Sequence, residues 1–327
     1  MQSNSQSKNV LTIATGKKLY IEMAVNLARS FIWWNKNSDI SFYIVTDQPN
    51  YIASDVLEFV KVVEIGVGEY GLGFSSKLHL DKFAPSGQTL FIDSDCLIFG
   101  KIDTVFEKFK GRKVSVIGTY ISSGEWFGNI KEIITKFNLP YLPKFNGGIY
   151  YLENGETAAR VYDTARELEK KYDEIGFVRL RNRPNDEVIM SVAMQLHGMV
   201  PIKEDATIMS DPQACPGKYK IDVIKGKIQL LNPPYPDVKN QSWYPFEKVS
   251  PLVLHFLGYF THNYPYRREV YRLEKQMRHQ LNWRTEIAAK LTIELSERVK
   301  TLAKNIFRPL YRRFFGIRPI AKSERIV

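Results

Sequence analysis

Cysteine is scarce in this sequence: Cys96 and Cys215 are the only two in 327 residues. That is too few for a disulfide framework, and Cys96, set in an apolar run, reads as a small hydrophobe rather than a nucleophile. Long hydrophobic runs are missing as well. No window approaches the roughly 18 uninterrupted apolar residues of a spanning helix, and Met1–Val10 is polar, without the apolar stretch of a signal peptide. Cytoplasmic residence is the expectation. The third shortage is of net charge over most of the chain. Of the 46 Lys/Arg and 35 Asp/Glu, 16 and 6 fall after Tyr266, leaving 30 against 29 for residues 1–266. A near-neutral body followed by a tail of net +10 needs two separate explanations. A body with no basic face also argues against nucleic acid as a partner.

In the body, Val10–Thr15, Ser41–Asp47 and Val60–Ile65 are strand-like, and Ile21, Val25, Ala28 and Ile32 recur at helical spacing between the first two. Strands alternating with helices predict a mostly parallel α/β sheet, with ligands at the carboxyl ends of its strands, where Thr15 and Asp47 fall. The stretch Leu90-Phe91-Ile92-Asp93-Ser94-Asp95-Cys96-Leu97-Ile98-Phe99 reads as one core strand broken by a polar tip. In an extended chain residues two apart point the same way, so Asp93 and Asp95 would offer a divalent cation hard oxygen ligands. The competing reading is a surface turn that happens to hold two aspartates.

Lys77 is expected to open a helix over Leu78–Phe83, and Asp103 to cap another. The segment Ser122–Asn138 is either an acceptor-facing insert or a surface helix-loop with Trp126 and Phe127 packed inward. Asn146-Gly147-Gly148 stands at the entrance of a strand running to Leu152. Two glycines there allow close backbone approach to a ligand, and a bulge or tight turn explains them equally. Thr157–Tyr172 is an amphipathic helix, and Asn185-Asp186-Glu187 caps the next one. Pro233, Pro234 and Pro236 mark an irregular, surface-wrapping region. His255, inside the apolar run Leu252–Gly258, is either a structural histidine or an imidazole completing the carboxylate site.

Taken in order, these residues resemble family 8 of the retaining glycosyltransferases, the GT-A group that contains glycogenin and bacterial lipooligosaccharide galactosyltransferases. The resemblance runs from about Val10 to Gly258. It is carried by the strand ending Ala14-Thr15 with Tyr20 after it, by Lys77-Leu78-His79, by Phe91-Ile92-Asp93-Ser94-Asp95, by Phe145-Asn146-Gly147-Gly148, by Asp186-Glu187 and by His255-Phe256-Leu257-Gly258. It implies a single GT-A-type Rossmann-like α/β domain over residues 1–266, with a mixed, mostly parallel central sheet, and a basic helical extension over 267–327.

It further implies a metal-dependent hexosyl transfer with retention, from a nucleotide-sugar donor of the UDP-sugar kind to a glycan or lipid-linked acceptor. Asp93, Asp95 and His255 would ligate Mn²⁺ or Mg²⁺. Ala14, Thr15, Tyr20, Ser94 and Gly258 would hold the nucleotide, and Asn146 and Gly147 the sugar. Lys77, Asp186 and Glu187 would be the catalytic group. The chain departs from the family where Asp-Gln is usual and Asp186-Glu187 stands, and where Thr261 replaces a phosphate-binding lysine. His262, Arg267 and Arg268 are the candidates to restore that charge. The alternatives are a non-catalytic sugar- or partner-binding protein on the same fold and an Asp-x-Asp phosphatase, the latter disfavoured by Leu97 and by the lateness of the strand.

In the tail, Ile287, Leu291, Leu295, Val299, Leu302 and Ile306 recur every three or four residues, and Pro309 is expected to end this amphipathic helix. Aromatic and basic residues then interleave over Phe307–Phe315. Such a segment suits an anionic membrane surface, which would make the protein peripheral on the inner membrane face. Docking on the body, or a homodimer through the helix, competes with that reading.

Overall fold

The computed structural model describes residues 6–213, 215, 218–232 and 247–316; the proline-rich stretch around Pro233–Pro236 lies outside them. β1 (Lys8–Ala14), β2 (Ile40–Thr46), β3 (Val60–Glu64) and β4 (Gln88–Ile92) run parallel in the order β3-β2-β1-β4. The chain then leaves this sheet as β5 (Cys96–Ile98), β6 (Val114–Ser115), β7 (Ile117–Ile121) and β8 (Leu142–Phe145), of which β6 returns to its far edge. β9 (Ile149–Glu153) fills the gap between β4 and β6, antiparallel to both, to complete six strands. The sheet is therefore mixed and mostly parallel.

Period-two alternation fills both faces. Leu11, Val45, Phe91 and Tyr150 face one core, which receives Tyr162, Val188 and Ile189 from the helices Glu156–Lys170 and Asp186–Leu196. Val10, Ile44, Leu90 and Tyr151 face the other, covered by Ile21, Ala24, Ala28 and Ile32 of the helix Lys18–Asn35. Strands buried on both sides by helices are what a parallel sheet requires.

β10 (Ile202–Lys203) joins β7 and β8 in a small second sheet. A third is formed by β11 (Met209–Ser210), β5 and a late strand, Val253–His255; a fourth by the strands Tyr219–Asp222, Lys227–Leu231 and Lys248–Val249.

The apolar run Leu90–Phe99 is thus two strands in two sheets rather than one, with Asp93–Asp95 forming the turn between them; Cys96 N–H donates back to Asp93 O at 3.0 Å. The reason is that β5 finds its partner in the Val253–His255 strand, off the main sheet. Asn146–Gly148 likewise lies between β8 and β9 rather than inside one strand. Lys77 sits within a 3-10 helix, Gly73–His79, instead of opening an α-helix. Asp103 starts the helix Asp103–Phe109 without a side-chain capping bond, Ile102 being the cap residue. Trp126 and Phe127 are buried, so the Ser122–Asn138 segment packs inward ahead of the helix Ile130–Lys136.

Beyond the body, the helix Tyr266–Met277 packs against Lys18–Asn35. Its Glu269, fully buried, accepts from Arg268 Nε (2.7 Å), Arg272 Nη1 (3.1 Å) and the Val223 amide (2.7 Å). A further helical run extends from Trp283 to Phe315, opened by an Asn282/Thr285 capping box. It does not end at Pro309. Proline costs the bond to Asn305 but fits helical φ, and the Tyr311–Phe315 stack at 4.8 Å supports the last turn beyond it. Among the described residues no helix is long and apolar enough to cross a membrane.

Removing a carboxylate from a buried pair strands its cations. Glu269→Ala is therefore expected to lower the unfolding free energy by about 3 kcal/mol, read as a drop in urea midpoint; a midpoint within error of the unaltered chain would show that this network carries no stability.

Candidate active site

The carboxyl ends of β1, β2 and β4 form one rim of the sheet. There Gly16 N–H donates to both Asp47 carboxylate oxygens (3.1 and 3.0 Å), tying the β1 and β2 ends together. Asp93 follows β4 directly, its amide held by Gly148 O at 2.9 Å, so the aspartate turn and the glycine turn are locked to each other. The antiparallel pairing of β5 with Val253–His255 sets His255 opposite Cys96, one residue from Asp95.

As a result His255 Nε2 lies 2.9 Å from Asp95 Oδ1 and 3.8 Å from Asp93 Oδ2, with the imidazole almost wholly buried. Its other nitrogen meets Asn146 Oδ1 at 3.1 Å. That oxygen also accepts the Gly148 amide at 3.0 Å, which identifies it as the carbonyl end of the side chain. Nδ1 must then carry a hydrogen, and Nε2 is the nitrogen turned to the carboxylates. This is the tautomer a metal-binding histidine takes, its outer N–H donated to a neighbour. A β-carbon at Gly148 would fall 2.6 Å from Nδ1, so only glycine leaves room for the ring.

Two ligands held at about 2.1 Å from one octahedral ion stand about 3 Å apart, and Asp95 and His255 are already so spaced. Ligand atoms of Asp95, Cys96 and His255 also lie within 4.8 Å of one another. Cys96 is the poorer third donor. Its thiol is pushed well up by burial and by the charges of Asp95 and Asp93, and the oxygen and imidazole set matches a hard or borderline cation. Asp93, 3.8 Å from the imidazole, is the better one.

Lys77 closes the other side. Its Nζ donates to Asp93 Oδ2 (2.7 Å) and Gly147 O (2.9 Å) and stands 3.7 Å from Asp186 Oδ2. Burial works against the ammonium, but Asp186 and Asp93 outweigh it and hold Lys77 above the usual lysine range. Asp186 and Glu187 begin the helix Asp186–Leu196, where Asn185 Oδ1 accepts the Glu187 amide at 2.9 Å. Asp186 accepts the Tyr150 hydroxyl at 2.6 Å, and Glu187 accepts the Gly147 amide at 3.0 Å. Burial raises Asp186 despite Lys77 and Tyr150, and raises Asp93 despite Lys77.

The structure therefore brings together Lys77, Asp93, Asp95, Asn146, Gly147, Asp186, Glu187 and His255. Ala14 is buried at the end of β1, Thr15 and Ser94 are half-buried in the turns beyond β1 and β4, and Tyr20 is exposed on the first helix. Gly258 opens a short 3-10 helix in which Thr261 is buried and donates to Gly258 O at 2.7 Å. Arg268 cannot restore a phosphate-binding charge, because Glu269, Glu294 and Ile221 O already hold it. Sequence reasoning missed Tyr150 and the bond from Asn146 to the imidazole. Both depend on strand pairing and leave no mark in residue spacing.

No family model matches the sequence, and no curated protein does. Among solved structures, the galactosyltransferase LgtC in complex with donor and acceptor sugar analogues superposes at a TM-score of 0.53 and 11% identity, over 85% of this chain and 99% of that one. An active-site Gln-to-Glu mutant of LgtC gives 0.55 and 12%, with the same coverage. At these identities the likeness is one of fold: a GT-A-like architecture.

His255 is raised above its ordinary 6.5, burial being outweighed by the charge and hydrogen bond of Asp95 and by Asp93. The folded chain thus holds this proton more tightly than the unfolded one. The stabilisation is complete below the unfolded value of about 6.5 and is lost as pH rises through the folded value. In metal-free protein the melting temperature is expected to fall as pH rises above about 6.5, and His255→Gln to flatten that fall. A slope unchanged by the substitution would contradict the pairing.

Proposed function

We propose that this chain is a divalent-metal-dependent, retaining glycosyltransferase that moves a hexose from a UDP-sugar to a glycan or lipid-linked acceptor. The observation that carries the reading is the meeting of His255 with the Asp93–Asp95 turn, beside Lys77 and the Asp186–Glu187 helix start, at the carboxyl rim of the sheet. The GT-A-like fold supports it, as does the capture of the LgtC neighbour with donor and acceptor analogues.

On this reading Asp93, Asp95 and His255 hold Mn²⁺ or Mg²⁺. The bound ion supplies Lewis-acid stabilisation of the charge that develops on the departing diphosphate. Lys77, permanently protonated between Asp93 and Asp186, adds a fixed positive charge at the same place and needs no reorganisation to do so. Asn146 keeps the imidazole in its ligating orientation. Gly147, Asp186 and Glu187 line the sugar: the first offers close backbone approach, and the carboxylates accept from sugar hydroxyls. Tyr150 donates to Asp186 and fixes its rotamer. Ala14, Thr15, Tyr20, Ser94 and Gly258 border the nucleotide.

The basic extension from Arg267 is, in this proposal, a second unit. Its helix leaves Leu295, Val299, Leu302, Ile306, Leu310 and Phe314 about half exposed or more, flanked by Arg298, Lys300, Lys304, Arg308 and Arg312. An amphipathic surface of that composition fits an anionic bilayer, each surface cation contributing about 1 kcal/mol, and would bring the enzyme to a lipid-linked acceptor.

Two experiments test the reading. Incubation with a panel of nucleotide sugars and Mn²⁺ is expected to give transfer or slow donor hydrolysis, lowered at least about 100-fold in Asp95→Ala by loss of a ligand to the ion; activity that survives chelation and Asp95→Ala would reject metal dependence. Sedimentation with phosphatidylserine vesicles is expected to pellet the full chain, and Leu302→Glu/Ile306→Glu to leave it in the supernatant. A full chain that stays in the supernatant, or a double variant that pellets as the full chain does, would remove the membrane role.

A further inference from the structure

The carboxylates at the sheet rim outnumber the cations that face them. Asp93, Asp95, Asp186 and Glu187 converge there, against His255, the half-buried Lys144 beside Glu187, and Lys77, whose ammonium is already shared between Asp93 and Gly147 O. A divalent ion brings this set only near balance. A nucleoside diphosphate adds two or more negative charges, which need further cations within reach.

The segment leading into Asp186 supplies them. Leu180 and Arg183 close a turn through reciprocal backbone bonds of 2.9 and 3.1 Å. Its central residues, Arg181 and Asn182, sit at φ 53° and 60°, the left-handed pair of a type I′ turn that asparagine and glycine normally occupy. An arginine held there is strained, and such strain persists where a function retains it. The turn also carries its two arginines to two different segments that lead to site residues. Arg181 Nη2 lies 3.9 Å from where a β-carbon on Gly258 would stand, three residues past His255. Arg183 Nη1 lies 2.6 Å from the same point on Gly73, at the start of the 3-10 helix that carries Lys77. Both residues are exposed.

We propose that Arg181 and Arg183 clamp the diphosphate of the departing nucleotide, Arg181 from the Gly258 side and Arg183 from the Gly73 side. The clamp rests on the transfer reading above. A guanidinium fork bonds two phosphate oxygens at once, so each arginine both neutralises and orients the leaving group. It also supplies the charge that Thr261, turned inward onto Gly258 O, does not.

The test is isothermal titration of the full chain with UDP in Mn²⁺, and with Mn²⁺ alone. Arg181→Ala and Arg183→Ala are each expected to weaken UDP by about 10- to 100-fold and to leave the affinity for Mn²⁺ alone unchanged. Arg181→Gly takes the left-handed conformation without penalty. It is expected to melt no lower than the unaltered chain while losing UDP affinity as Arg181→Ala does. UDP affinity retained in the variants, or UDP and Mn²⁺ affinity lost in parallel, overturns the clamp and leaves the transfer reading standing. A lower melting temperature for Arg181→Gly with UDP affinity intact makes Arg181 structural and overturns the clamp too. Failure of the unaltered chain to bind UDP, GDP, ADP or CDP with Mn²⁺ removes the transfer reading, and the clamp with it.

Discussion

The short ladder between Cys96–Ile98 and Val253–His255 is the constraint on which the site depends. A histidine more than 150 residues from the aspartates in sequence meets them because antiparallel pairing leaves no freedom in which residue stands opposite which. A register slip of one would turn the imidazole to the other face and leave Asp95 without its partner. The ladder is buried: Leu97, Leu254 and Phe256 pack with Tyr266 and Leu273 of the first C-terminal helix. The geometry of the site is therefore held by hydrophobic packing on its far side.

Electrostatics then sets a limit. Concentrating four carboxylates at the end of a sheet is costly unless each has a partner. Asp186 and Glu187 gain from the amide groups at a helix start, Asp93 from Lys77, and Asp95 from the imidazole. The arrangement is satisfied in the resting protein, yet its partners are groups that a metal–nucleotide complex would also engage. Lys77 illustrates this: the contacts that keep it charged, Asp93 and Asp186, also fix its ammonium beside the aspartate turn, where the proposed reaction would need a cation.

The strand-helix alternation and the carboxyl-end rim were legible because periodicity of two and of 3.6 survives in a single sequence. The breaks were less so. Apolar residues on both sides of Asp93-Ser94-Asp95 make Leu90 to Phe99 look like one strand, and nothing local says that Cys96–Ile98 pairs with a segment far downstream. Asn146 illustrates the same limit at the site. Its type and its neighbouring glycines suggested ligand contact, whereas its bond to His255 follows only from the pairing of β5. Pro309 misled for a different reason: a strong local rule against proline was outweighed by flanking helix formers and the Tyr311–Phe315 stack.

The long C-terminal helix shows how a backbone irregularity organises a surface. Ile287, Leu291, Leu295 and Val299 are four apart, and in an ideal α-helix a spacing of four advances the stripe by about 40° at each step, enough to wind it around the helix. Lys290–Leu295 is a π-turn, whose wider winding reduces the advance per residue and keeps these side chains nearer one side. The same turn points Ile293 inward, where it is buried, while Glu294 reaches Arg268 at 2.9 Å. The turn thus fastens the helix to the body at the place where it straightens the outward stripe. The exposed apolar residues that follow project from an anchored element, and whatever covers them meets a fixed surface.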